Sequence, residues 1–120
     1  MISQTLLDAF QTMWGPFPEP VLLVAKDRTV LAVNDFAREV GVSAEVKCYS
    51  LNPEAGGKAC KQCKANLALN EHRAVCSTEI VDGKAMTSYW IPLKEEPEIY
   101  VHFGIGAAEM MRQAGAAVGA

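Results

Sequence analysis

The sequence has no block of like charge: 11 Lys and Arg are dispersed among 14 Asp and Glu, for a formal net charge of −3. Binding nucleic acid through counterion release needs a basic stripe or patch, so direct nucleic-acid contact is disfavoured. No apolar run approaches the ~18 residues that a membrane span requires. Met1-Ile2-Ser3-Gln4 does not open a basic segment followed by an apolar one, as a secretory leader would. These absences predict a cytoplasmic protein with neither nucleic acid nor membrane as partner. Internal repeats and low-complexity blocks are also lacking. Histidine occurs only as His72 and His102, neither spaced from Ser or Asp as a triad would be, and the chain is not expected to be an enzyme.

What the chain does have is enough apolar material for a core. Half of its 120 residues are hydrophobic, and a chain of this length is expected to form one domain. Leu6, Leu7, Phe10, Met13 and Trp14 repeat at helical spacing, with Thr5 and Asp8 as a candidate capping box. Gly15-Pro16-Phe17-Pro18-Glu19-Pro20 ends that helix, because proline removes backbone donors and favours extended neighbours. The stripe either covers a sheet or packs on its copy in a homodimer, the second being favoured.

Val21 to Ala25 and Thr29 to Val33 read as two strands joined by Lys26-Asp27-Arg28, an antiparallel hairpin. Asn34-Asp35 caps a short helix carrying Phe36 and Val40, closed by Gly41. Ser43 to Ala59 reads as irregular, Cys60 to Glu71 as a helix, and Ala74 to Val81, Lys84 to Leu93 and Glu98 to Ile105 as three more strands. Asp82-Gly83 suits a tight hairpin. Ile99, Val101, Phe103 and Ile105 alternate with Tyr100, His102 and Gly104, the pattern of a sheet with one face on a core. The expected fold is α+β: a five-stranded antiparallel sheet with helices on one face, plus an N-terminal amphipathic helix. Its expected parts are an N-terminal helix and dimerisation element (1–16), a central domain (17–109) and a helical tail (110–120).

Within the central part, three features together resemble PAS domains, over roughly Phe17 to Glu109: Pro18-Glu19-Pro20-Val21-Leu22-Leu23-Val24, Val33-Asn34 before the helix bearing Phe36, and the Asp82-Gly83 hairpin followed by Trp90-Ile91-Pro92-Leu93. Cys48-Tyr49 and Cys60-Lys61-Gln62-Cys63 resemble a bacterial subset of that family, from which the chain departs by lacking prolines around the Cys pair. The resemblance implies a sensory or dimerising module that works with a signalling protein such as a histidine kinase. Many PAS domains use the space between sheet and helices for a ligand, which makes Tyr89, Trp90 and His102 candidate cofactor-binding residues. The Gly-Arg-Asn run of the flavin-binding subfamily is absent, and no histidine precedes His72 in the helical segment to ligate a haem.

Every cysteine falls between residues 48 and 76, in the pattern Cys48-x11-Cys60-x2-Cys63-x12-Cys76. Three readings stay open. Cys48, Cys60, Cys63 and Cys76 could complete a four-thiolate site for zinc or an iron–sulfur cluster, although the outer spacings differ from a zinc ribbon's. Cys60 and Cys63 could instead be a thiol–disulfide pair at a helix N-terminus, with Lys58, Lys61 and Lys64 favouring thiolate. Or all four are small buried hydrophobes. The functional expectation is a sensory module that binds a small ligand or metal, or responds to redox state. The alternatives are a small thiol–disulfide redox protein, disfavoured because no βαβ unit surrounds the pair, and a purely structural dimerisation domain. Tyr89 and Trp90 also read as core aromatics, and His102 as a hydrogen-bonded surface histidine.

Overall fold

The computed structural model describes residues 3–48, 63–81 and 83–109. Five antiparallel strands form one sheet, β1 (Val21–Ala25), β2 (Val30–Val33), β3 (Val75–Val81), β4 (Lys84–Pro92) and β5 (Ile99–Ile105), in the spatial order β2-β1-β5-β4-β3. The expected number of strands, their succession along the chain and their antiparallel sense are all present. Three helices accompany them: α1 (Gln4–Trp14), α2 (Asp35–Glu39) and α3 (Ala65–Glu71).

Both faces of the sheet are covered, which is why β1 reads as an unbroken Val-Leu-Leu-Val run rather than an alternating one. Leu22, Val24, Val33, Val75, Trp90 and Tyr100 point to one face, here termed inner, where they pack with Ala37 of α2 and with Ala65, Ala68 and Leu69 of α3. Val21, Leu23, Ala32, Val101 and Phe103 point to the outer face and meet Phe10, Leu6, Leu7 and Trp14 of α1. The strand pairing enforces this division: Val24 opposes Tyr100 and Trp90 opposes His102 on the inner face, while Tyr89 opposes Phe103 on the outer. The apolar stripe of α1 is thus spent on its own sheet, apart from Met13, which is 72% exposed.

The cap of α1 differs from the expected box. Ser3 Oγ accepts from Leu6 N at 3.1 Å, which places Thr5 and Asp8 inside the helix. Gly15 ends it, and a Cβ there would sit 2.3 Å from the Gln11 carbonyl oxygen, so a larger residue would displace backbone. At the tight turn between β3 and β4, Gly83 has φ +78°, a conformation glycine adopts without strain.

Asn34 ties the N-terminal segment to the sheet. It is fully buried; Oδ1 accepts from Val21 N at 2.9 Å and from Ala37 N at 3.1 Å, capping α2. Its Nδ2 donates to the carbonyls of Trp14, Phe17 and Glu19 at 3.1, 3.2 and 2.9 Å. The Glu19 carboxylate then accepts from Gly106 N at 3.0 Å and Ala108 N at 2.7 Å, fastening the chain leaving β5 to the chain entering β1. Residues 107–109 start a helical turn, and the expected tail from 110 onward lies outside the described residues.

Candidate functional site

The inner face carries the polar chemistry. Arg28 sits at the β1–β2 turn with φ +76°, a left-handed conformation that turns its side chain inward. It is 8% exposed. Nη1 donates to the Lys26 carbonyl at 2.5 Å and Nη2 to Asn66 Oδ1 at 3.1 Å, while Nε has no partner among the described residues. The guanidinium carbon lies 6.0 Å from the centre of the Tyr100 ring, a cation–π distance. Neither of its bonded partners is charged, and the three ion pairs among the described residues, Arg38–Asp35, Lys47–Asp27 and Arg73–Glu71, are elsewhere and largely exposed.

Tyr100 is completely buried; its hydroxyl lies beside the Cys48 side chain, a weak partner at best, and makes no hydrogen bond of good geometry among the described residues. Burial first, then the neighbouring Cys48 and Cys63, push its pKa above the ordinary phenol range; Arg28 pulls it back in part. The phenol is therefore an O–H donor at neutral pH. Cys48 reaches this position because the chain after α2 runs back along β2: Val30 N donates to Val46 O at 2.8 Å, and Cys48 N donates to Arg28 O at 2.7 Å. Cys63 precedes α3 and packs with Cys48 against the same inner core.

Beside Tyr100 on the same face, the rings of His102 and Trp90 stack at 5.0 Å with an interplanar angle of 17°. Tyr89 O is an acceptor only, so His102 Nδ1–H donates to it at 2.9 Å and the neutral ring keeps its lone pair on Nε2. Burial, followed by the nearby Arg28, lowers the His102 pKa, whereas the bond to Tyr89 opposes the shift. The expected surface histidine is instead half-buried in the inner face.

The structure divides the residues singled out from the sequence. Trp90 and His102 lie together with Cys48 and Cys63 on the inner face. Tyr89 lies on the other side, stacked on Phe103 at 5.1 Å and 18°, in an aromatic cluster with Trp14 and Phe17. Cys76 opposes Tyr89 in the β3–β4 ladder, so it shares the outer face, where it is exposed. Cys60 lies outside the described residues. No group of three His, Cys, Asp or Glu suited to a metal occurs among the described residues, and of the three described cysteines Cys76 lies across the sheet from Cys48 and Cys63. The helix expected from Cys60 begins at Ala65, with Lys64 as a cap that makes no side-chain bond, so Cys63 lies before it. His72, expected at a solvated helix end, is the exposed left-handed residue that closes α3.

Arg28 and Tyr100 were not singled out by sequence. An Arg in a three-residue hairpin connection reads as solvated, and Tyr100 as one residue of an alternating strand. Only the left-handed backbone at residue 28 turns the guanidinium under the sheet.

No family model matches the chain, and no curated protein matches it in sequence. The fold has solved counterparts. A sensory box sensor histidine kinase from Vibrio cholerae superposes with TM-score 0.59 at 18% identity, over 83% of this chain and 86% of that one. A domain of an HTR-like protein from Haloarcula marismortui gives 0.55 at 18% identity, over 72% and 95%. The PAS domain of Bordetella pertussis BvgS gives 0.51 at 16% identity, over 92% and 96%. The fold of this chain is therefore PAS-like. No helix among the described residues is long and apolar enough to cross a membrane.

Proposed function

We propose that this chain is a cytoplasmic, non-catalytic sensory module whose inner sheet face receives a small ligand and whose termini pass the event on. One observation carries the reading: two buried polar groups, Arg28 Nε and Tyr100 Oη, stand without hydrogen-bond partners among the described residues, on a face packed mainly with apolar side chains. Buried polar groups are nearly always hydrogen-bonded, and an unmade bond costs about 1–3 kcal/mol. Such a cost is tolerated where a ligand completes the bonds. The route outward is the Glu19 carboxylate, which joins the end of β5 to the segment that Asn34 anchors. A ligand that shifts Tyr100 shifts β5, and with it the exit after Ile105, by changing the relative population of two packings. A second copy of the chain, or a signalling protein such as a histidine kinase, is the proposed receiver.

The test is amide NMR of the whole chain against a library of small metabolites. Binding at the inner face moves the Trp90 indole N–H together with the Gly106 amide. Compounds that move only exposed residues, or none that move Trp90, would count against the reading.

A further inference from the structure

We infer that the ligand of this inner face is a small organic carboxylate, held by Arg28 Nε–H and Tyr100 O–H. The inference rests on the sensory reading above and adds the chemistry of the signal.

Both unpartnered groups are donors. Nε is the one guanidinium nitrogen without a partner among the described residues, Nη1 and Nη2 being bonded to Lys26 O and Asn66 Oδ1, and an arginine cannot discharge itself by losing a proton. The Tyr100 phenol, its pKa raised by burial, cannot supply the missing negative charge. His102 is held as the neutral tautomer and supplies none either. A cation that is 8% exposed and, among the described residues, bonded only to neutral oxygens is unfavourable, because those bonds do not offset desolvation as a counter-charge would. An incoming carboxylate corrects both defects together: one oxygen accepts from Nε–H, the other from the phenol, in charge-assisted bonds stronger than neutral ones. The surrounding Val24, Val30, Trp90 and Leu69 are apolar, so the rest of such a ligand is small and apolar. The single guanidinium matches a single negative charge, which argues against a phosphate dianion.

The experiment titrates the full chain with sodium benzoate and sodium acetate, with benzamide as the uncharged counterpart, following the Trp90 indole resonance and the thermal midpoint. Benzoate or acetate should move Trp90 and raise the midpoint, and benzamide should do neither. Arg28→Met, which keeps the apolar stem, should weaken carboxylate binding at least ~10-fold, as loss of a charge-assisted bond requires. Tyr100→Phe should weaken it by roughly 2- to 10-fold, the loss of one neutral donor. Without ligand, Arg28→Met should be as stable as the parent or more so, since it removes an uncompensated buried charge.

Three results would overturn the inference: benzamide binding as tightly as benzoate, carboxylate affinity unchanged in Arg28→Met, or a ligand-free Arg28→Met that is clearly destabilised, which would mean the guanidinium already has an internal counter-charge. In the first two cases Trp90 still responds and the sensory reading stands. Silence of Trp90 towards every compound, charged or not, would remove both.

Discussion

Replacing Asn34 by Ala should be among the most damaging single changes in this chain. The side chain is fully buried: Oδ1 accepts two hydrogen bonds, and the two N–H groups of Nδ2 are shared among three carbonyls. Alanine leaves the amides of Val21 and Ala37, both 0% exposed, without partners. Each such donor costs about 1–3 kcal/mol; loss of the α2 cap, worth about 0.5–2 kcal/mol, is part of the Ala37 share. The three carbonyls that lose Nδ2 are less costly, since under-satisfied carbonyls are better tolerated than buried N–H groups. The two donors together come to about 2–6 kcal/mol, a large fraction of the ~5–15 kcal/mol that holds a typical domain together. Urea unfolding followed by tryptophan fluorescence measures it: the midpoint should fall with little change in slope, because the fold is kept. Asn34→Asp provides the sharper comparison. It keeps both acceptor bonds but turns an oxygen towards the carbonyls of Trp14, Phe17 and Glu19, so it should be no better tolerated than alanine. A loss below about 1 kcal/mol for Asn34→Ala, or an Asp variant as stable as the parent, would refute the view that this amide is the structural tie.

Other outcomes follow from the same contacts. Glu19→Ala removes the acceptor of the Gly106 and Ala108 amides; stability should drop by about 1–3 kcal/mol, and hydrogen exchange should quicken at those two amides before others. His102 has a folded pKa below its ordinary 6.5, so the unfolded chain takes up the proton first. Its contribution to stability is therefore complete above pH 6.5 and declines as pH falls below it; urea midpoints over that range should show a decline that is smaller in His102→Gln. Asp27, held down to about 2 by Thr29 and Lys47, gives stability that is full above the ordinary carboxylate range and lost towards that value; Asp27→Asn should flatten the acid limb of the same curve. Cys76→Ser, on the exposed outer face, should change stability by less than ~0.5 kcal/mol and leave metal content unaltered.

Much of the fold was legible because local chemistry and pattern agreed. Asp82-Gly83 marks the β3–β4 hairpin, the prolines after Gly15 mark the end of α1, and the apolar runs mark β1 and β2. What periodicity could not show was how many faces are covered. Alternation in β5 reads as one buried side, yet Tyr100 is as buried as Val101 because α3 and the segment after α2 cover the inner face. The candidate site was less legible. Trp90 and His102 stood out as an aromatic and a titratable residue, and the strand register put them side by side. Cysteine spacing grouped Cys76 with Cys48 and Cys63 along the chain, whereas the pleat sends Cys76 to the other side of the sheet. Arg28 was missed because its role depends on a single backbone dihedral, which residue type alone does not report.

The most direct measurement is the chemical shift of the Gly106 amide while the Trp90 indole is saturated with a carboxylate. If the inner face senses and the Glu19 link relays, the two resonances titrate together with one affinity, and Glu19→Ala uncouples Gly106 while Trp90 still responds. A Gly106 amide that stays fixed at saturation in the parent chain would contradict the account.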